Sequence, residues 1–192
     1  MKNNLKSIVL TAVFAALVCV ATMSIRIPTP GTGGYIHPGD ALVILSGIFL
    51  GPVYGLLAGG IGSALADLLG GYFIYVPITF VIKGLVALAS AFIFSLSKPS
   101  KAASKDQPLA IPSKRKQGIL VAFCGIADII IVAGGYYLCE IFLYGPAASL
   151  ANVPANIIQG TGGLVLSLLL YPILSAIPDL REMRRVTNPS RQ

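Results

Sequence analysis

Between Gly33 and Gly84 the chain reads GGYIHPGDALVILSGIFLGPVYGLLAGGIGSALADLLGGYFIYVPITFVIKG, apolar and glycine-rich except for a histidine, two aspartates and a lysine. Apolar runs of this length belong in lipid. A charged side chain at mid-membrane costs about 2.5–3.5 kcal/mol on insertion scales, so it normally faces protein or water and has a partner. The chain is therefore constrained to be a membrane helix bundle that houses His37, Asp40, Asp67 and Lys83. Its composition agrees: 55% of its 192 residues are hydrophobic, 11% are charged and the mean hydropathy is +0.83. Soluble domains carry about 25% charged residues.

The formal charge of +7 is spread in a way that argues against nucleic acid as a partner. Lys2 and Lys6 lie at the N-terminus, Lys98, Lys101, Lys105, Lys114, Arg115 and Lys116 in a polar segment, and Arg181, Arg184, Arg185 and Arg191 in the tail. Those are the flanks where the positive-inside rule places topological signals. Cys19, Cys124 and Cys139 each sit in an apolar run, as small hydrophobes rather than a disulfide or metal set. With no tryptophan in the chain, tyrosine supplies the interfacial belt.

The apolar segments predict an all-α integral membrane protein of one domain with six transmembrane helices, at about 5–25, 39–50, 52–69, 76–96, 118–144 and 153–176. A cytoplasmic linker is expected over 97–117 and a basic tail over 178–192. The first helix is read as retained: its apolar core exceeds an ordinary signal-peptide h-region and no clean A-x-A site follows. Residues 39–69 are either one long kinked helix or two short ones broken at Gly51-Pro52. Two spans put the basic linker, the tail and the N-terminus together in the cytoplasm, so two are chosen. The first of the pair rises only about 18 Å against a hydrocarbon core of about 30 Å, so it must be tucked among its neighbours. Arg26 to Gly34 carries two prolines and three glycines, which preclude a helix. That loop is either a connector or a lid.

Sorted by depth, the polar residues gather on the outer half: His37, Asp40, Asp67, Tyr72, Tyr75, Thr79, Lys83, Tyr136, Tyr137, Glu140, Tyr144, Asn152, Asn156 and Gln159. A polar cavity open to the outside is expected there. Each residue also has a plainer reading. Lys83 is either a ligand group or the partner of Glu140 or Asp67 in an interhelical ion pair. Asp40, after Gly39, reads as an N-terminal cap. Several of the tyrosines belong to the belt alone. Asn152, Asn156 and Gln159 share one helical stripe and are expected to line a site. Asp128, alone at inner depth, is expected to pair with the basic loop or to meet a partner. On the first helix, Ala12 and Ala16 at i, i+4, with Ala15 beside them, make a smooth face that another helix can approach closely.

Catalysis finds little support. G-x-S-x-G, H-E-x-x-H and G-x-x-x-x-G-K-[ST] are all missing from the sequence, and one histidine with dispersed carboxylates is no metal cluster. No cofactor or metal is expected. Without a phosphate loop the chain cannot hydrolyse ATP, so energy for concentrating a solute must come from a gradient or another subunit.

The order of features resembles a known family. A basic N-terminus leads into a small-residue helix, then GYIHPGDAL, then GPVYGLLAGGIGSALADLLGGY, then FIYVPITFVIKG. This is similar to the substrate-binding S components of energy-coupling factor (ECF) vitamin transporters, closest to the group for hydroxymethylpyrimidine and vitamin B6-type compounds. The resemblance implies a six-helix S-component fold in a bacterial plasma membrane, with a vitamin held near the outer surface under the first loop. It implies that the face of Ala12, Ala15 and Ala16 docks on a transmembrane coupling subunit, driven by two cytoplasmic ATPase subunits. It adds weight to Lys83, Glu140, Asn152, Asn156 and Gln159 as ligand groups, beside His37, Asp67, Tyr75, Thr79, Tyr136 and Tyr144. Tyrosine faces suit a flat heteroaromatic ring, and amides with Glu140 suit its polar edge. The set lacks an Arg cluster, so an unphosphorylated vitamin is expected. The alternative is an autonomous proton-coupled carrier with Asp67, Lys83 and Glu140 as relay. It is weakened by the lack of an evident pair of repeats.

Overall fold

The computed structural model describes residues 2–29, 34–96 and 114–186. The expected linker up to residue 113, the tail from 187 and the loop residues 30–33 lie outside them. Helices dominate: α1 (Lys2–Ser24), α2 (Asp40–Gly70), α3 (Tyr75–Ser95), α4 (Lys114–Tyr144), α5 (Pro146–Leu174) and α6 (Pro178–Val186). The first five are long and apolar enough to cross a membrane.

The second is two limbs. At Gly51 the backbone takes φ 80° and ψ −174°, a conformation that side chains exclude and glycine tolerates. Pro52 starts the second limb, where its missing N–H costs nothing. The limbs then run back along each other. A Cβ on Gly55 would lie 2.7 Å from the Gly47 Cα, and one on Gly59 would lie 3.0 Å from Val43 Cγ1. Gly47 in turn rests on the backbone of Ala87 in α3. The break expected at Gly51-Pro52 is thus present, and both ends of α2 reach the same end of the bundle.

At that end a short antiparallel hairpin pairs β1 (Ile27–Pro28) with β2 (Tyr35–Ile36). We call it the hairpin end. A Schellman-type stop closes α2 there, with Tyr72 N–H donating to the Asp67 carbonyl at 2.8 Å. α3 descends from it, α4 returns to it and α5 descends again. The start of α1, the end of α3, the start of α4 and α6 share the far end. Lys6 of α1 forms ion pairs there with Asp179 and Glu182 of α6. Tyr171 of α5 donates to Gln117 of α4 at 2.6 Å and accepts from Arg184 of α6 at 2.7 Å. The core between the helices centres on Val43, Ile44, Phe49, Leu50, Val86, Val121 and Val132, all at most 1% exposed.

Three expectations need correction. α4 begins at Lys114 rather than 118, because Lys, Arg and Gln are good helix formers and Gln117 gains a tertiary partner. α5 begins at Pro146, a favoured first helical position, so only Gly145 separates it from α4. The tail is helical over α6, where Leu180 and Met183 are one turn apart and buried.

Candidate functional site

The polar residues converge between the hairpin and the tops of α2 to α5. The cavity there has about 360 Å³ of empty volume, its mouth included. It is lined by Gly34, Tyr35, His37, Asp67, Tyr72, Tyr75, Thr79, Tyr136, Glu140, Asn152, Asn156 and Gln159. Strand alternation supplies the roof. Successive side chains of an extended segment point opposite ways, so Tyr35 and His37 turn inward while Ile36 joins an apolar cleft outside. Tyr35 packs at 4.6 Å on the Tyr72 ring and donates to Asp67 Oδ1 at 2.8 Å. Burial first, then the Asp67 carboxylate, raises the Tyr35 pKa above the usual phenol range. Tyr35 thus stays a donor.

Glu140 of α4 is 1% exposed and organises one wall. Its Oε1 accepts from Tyr75 OH at 2.9 Å, and Asn152 Nδ2 donates to Oε1 and Oε2 at 2.8 and 2.9 Å. Thr79 and Tyr136 hydroxyls share a hydrogen bond of 2.8 Å across α3 and α4. The stripe on α5 places Asn152, Asn156 and Gln159 on one face, as the spacing implies. Two amide atoms of this lining have no hydrogen-bond partner among the described residues, the acceptor Asn152 Oδ1 and the donor Asn156 Nδ2. Buried polar atoms seldom stay unpaired, so this wall has a donor and an acceptor left for a guest.

Lys83 departs from expectation. It is fully buried, does not line the cavity and pairs with Asp40. Its expected partners, Glu140 and Asp67, are engaged elsewhere. Asp40 is accordingly no N-terminal cap. Gly39 holds the cap position, without a side-chain cap bond, and Asp40 points inward from the first turn. Its Oδ2 also accepts from Gln159 Nε2 at 2.8 Å. Tyr144 also lies outside the lining, stacked on Tyr75 at 6.4 Å and 39% exposed. Asp128 is 0% exposed, and neither carboxylate oxygen has a hydrogen-bond partner among the described residues; most of the basic loop expected to meet it lies outside them. It faces α5 where glycines leave room, since a Cβ on Gly163 would lie 3.4 Å from Asp128 Oδ2 and 2.8 Å from Asp40 Cβ.

His37 keeps part of its surface, yet the loss of solvent around its ring pushes its pKa down to about 4. Its Nδ1 accepts from the Gly39 N–H at 3.1 Å. The ring is therefore neutral, with its proton on Nε2. Gly34, Tyr35 and Tyr72 were absent from the residues expected to bind ligand, though Tyr72 was placed at the same outer depth. The signal for Tyr35 was its position two residues before His37 on an extended segment.

On the opposite flank, Ala12 and Ala16 of α1 are exposed beside an apolar groove walled by Tyr54, Leu57, Ile61 and Leu65 of α2. Ala15 lines the same groove but is largely buried, and its carbonyl oxygen abuts Gly62. It joins α1 to α2.

Residues 2–176 match the family described as the ECF-type riboflavin transporter, S component. The chain belongs to that family. It is a family of transporter components rather than enzymes, and the five apolar helices make this S component a multi-pass membrane protein. Among its relatives is the thiamine precursor transporter HmpT of Lactococcus lactis, 24% identical over 184 residues, or 95% of this chain and 96% of HmpT. An uncharacterised protein of Pyrococcus woesei, described as lying in the gap 3′ region, is 32% identical over 149 residues, covering 78% of this chain and 88% of its own. A UPF0397 protein of Streptococcus pneumoniae is 42% identical over 71 residues, covering 37% of this chain and 38% of its own.

Proposed function

We propose that this S component is the vitamin-binding subunit of an ATP-driven ECF importer in a bacterial plasma membrane. Its ligand is a small, unphosphorylated heteroaromatic compound of the hydroxymethylpyrimidine or pyridoxine type. The observation that carries the ligand class is the free acceptor of Asn152 beside the free donor of Asn156, within a wall of tyrosines and Glu140. A single ring with an amino or hydroxymethyl group and a ring nitrogen offers the complementary edge, and tyrosine faces suit its plane.

Charge supports the same class. The lining holds Asp67 and Glu140 and neither Lys nor Arg, so a phosphate would meet repulsion and no counter-charge. The cavity is nearly closed, with about 30 Å³ open to a water-sized sphere. A single ring, and still more a fused three-ring flavin with its ribityl chain, requires the hairpin and tyrosines to move apart. The name of HmpT, a thiamine precursor transporter, agrees with the smaller ligand.

The ends of α1, α3, α4 and α6 that carry Lys6, Lys114, Lys116, Arg181 and Arg184 are taken as cytoplasmic. The cavity then opens outward, and the two limbs of α2 count as two of six spans. Ala12 and Ala16 face the coupling subunit across the apolar groove, and two ATPase subunits supply the energy. An autonomous proton carrier is disfavoured, because Lys83 pairs with Asp40 instead of joining Asp67 and Glu140.

Calorimetry on the purified protein tests the ligand class. Hydroxymethylpyrimidine or pyridoxine should bind with a Kd in the submicromolar range or tighter, and riboflavin should not displace it. Tight binding of riboflavin with none of either single-ring compound would reverse the assignment.

A further inference from the structure

Beneath the cavity four hydrogen bonds run in series from a buried lysine to the loop that covers it. Lys83 donates to Asp40 Oδ1, and Gln159 Nε2 donates to Asp40 Oδ2 at 2.8 Å. The His37 backbone N–H donates to Gln159 Oε1 at 3.2 Å, and the Gly39 N–H donates to His37 Nδ1 at 3.1 Å. The first three of these fix the orientation of the Gln159 amide. An ammonium group only donates and an ionised carboxylate only accepts, so Gln159 must turn its NH2 group to Asp40. Its carbonyl oxygen then faces His37, where an acceptor is needed. A flipped amide would set oxygen against carboxylate and NH2 against N–H.

The far side of this contact matters too. His37 and Gln159 line the polar cavity, and both also line the apolar cleft formed by Ile25, Ile27, Ile36 and Ile158 outside it. The two residues therefore stand between the two spaces.

We propose that Asp40 and Lys83 are positioning residues for the ligand site: their buried ion pair orients Gln159, and the oriented amide latches the loop at His37 over the cavity. The consequence for ligand retention rests on the function proposed above; the latch does not.

Two paired substitutions separate orientation from mere charge burial, since neither leaves a lone charge inside. Asp40→Asn with Lys83→Met keeps an acceptor for Gln159, whereas Asp40→Leu with Lys83→Met removes it. Hydrogen–deuterium exchange on the full chain in lipid nanodiscs reads the loop without any ligand. The Asn/Met protein should protect residues 34–39 as the unaltered protein does. The Leu/Met protein should exchange them about tenfold faster, with α3 to α5 unchanged, as expected for losing one hydrogen bond. Equal loop exchange in the two proteins overturns the latch. If the Leu/Met protein does not fold, Gln159→Met, which keeps the ion pair, must give the same faster exchange or the latch fails. With hydroxymethylpyrimidine as probe, dissociation should be about tenfold faster in the Leu/Met protein and association little altered. Equal dissociation overturns the role in retention. No binding of the probe by the unaltered protein, with the exchange pattern as expected, refutes the vitamin assignment while the latch stands.

Discussion

Glu140 is the side chain on which the cavity's hydrogen bonding converges, because Tyr75 and Asn152 both donate to it. Hydrogen bonds to charged groups contribute about 1.5–3 kcal/mol. Glu140→Ala should therefore weaken vitamin binding by about 10- to 100-fold, and Asn156→Ala by about tenfold, both read by calorimetry. Unchanged affinity would remove that residue from the site. His37 supplies a pH test. Its pKa in the fold is about 4, below the ordinary value of about 6.5. Between those values the unfolded chain binds more protons, so stability rises with pH there. Melting temperatures in detergent should lose this contribution as pH falls from about 6.5 towards 4, and His37→Gln should flatten that part of the profile. An identical profile in the variant would show that the ring is not held neutral.

At the scale of elements, α1 has two unlike faces. Ala15 meets Gly62 and closes α1 on α2, whereas Ala12 and Ala16 remain open beside the groove. A bulky residue at either open position should leave vitamin affinity nearly intact and abolish uptake by the assembled importer, because it blocks a close helix approach without touching the cavity. Loss of binding in a correctly folded Ala12→Leu or Ala16→Leu protein would refute the docking role. The hairpin and the break in α2 show how much depends on local chemistry. Pro and Gly between Arg26 and Gly34 marked a non-helical loop, and Gly51-Pro52 marked a reversal; both are present where those residues stand. The start of α4 lies earlier than expected because its first residues are polar, and that of α5 because Gly145-Pro146 reads as a turn. Lys114 to Gln117 form helix despite low hydropathy, and Pro146 to Asn152 despite the Gly-Pro before them.

For the whole molecule, the chain carries a cavity at one end and no nucleotide-binding loop in its sequence. Reconstituted alone in liposomes it should bind the vitamin without accumulating it, and uptake should appear when the coupling and ATPase subunits and ATP are supplied. Robust uptake by this chain alone, driven by a proton gradient, would instead establish the autonomous carrier.

Hydropathy and charge position sufficed to show a membrane helix bundle with basic flanks, because burial in lipid acts on every residue of a span. Depth sorting likewise brought His37, Asp67, Tyr75, Thr79, Tyr136, Glu140, Asn152, Asn156 and Gln159 to one level, and the structure lines a single cavity with all of them. Depth does not specify rotation about a helix axis or the identity of a partner. Tertiary packing decided that Lys83 turns to Asp40, that Tyr144 stays outside the lining and that Asp128 is sealed against glycines of α5. It also converted the charges of the Gly33–Gly84 run into two separate devices. His37 and Asp67 face the cavity, while Asp40 and Lys83 neutralise each other below it, since a buried ion pair forms only where two helices bring opposite charges within contact.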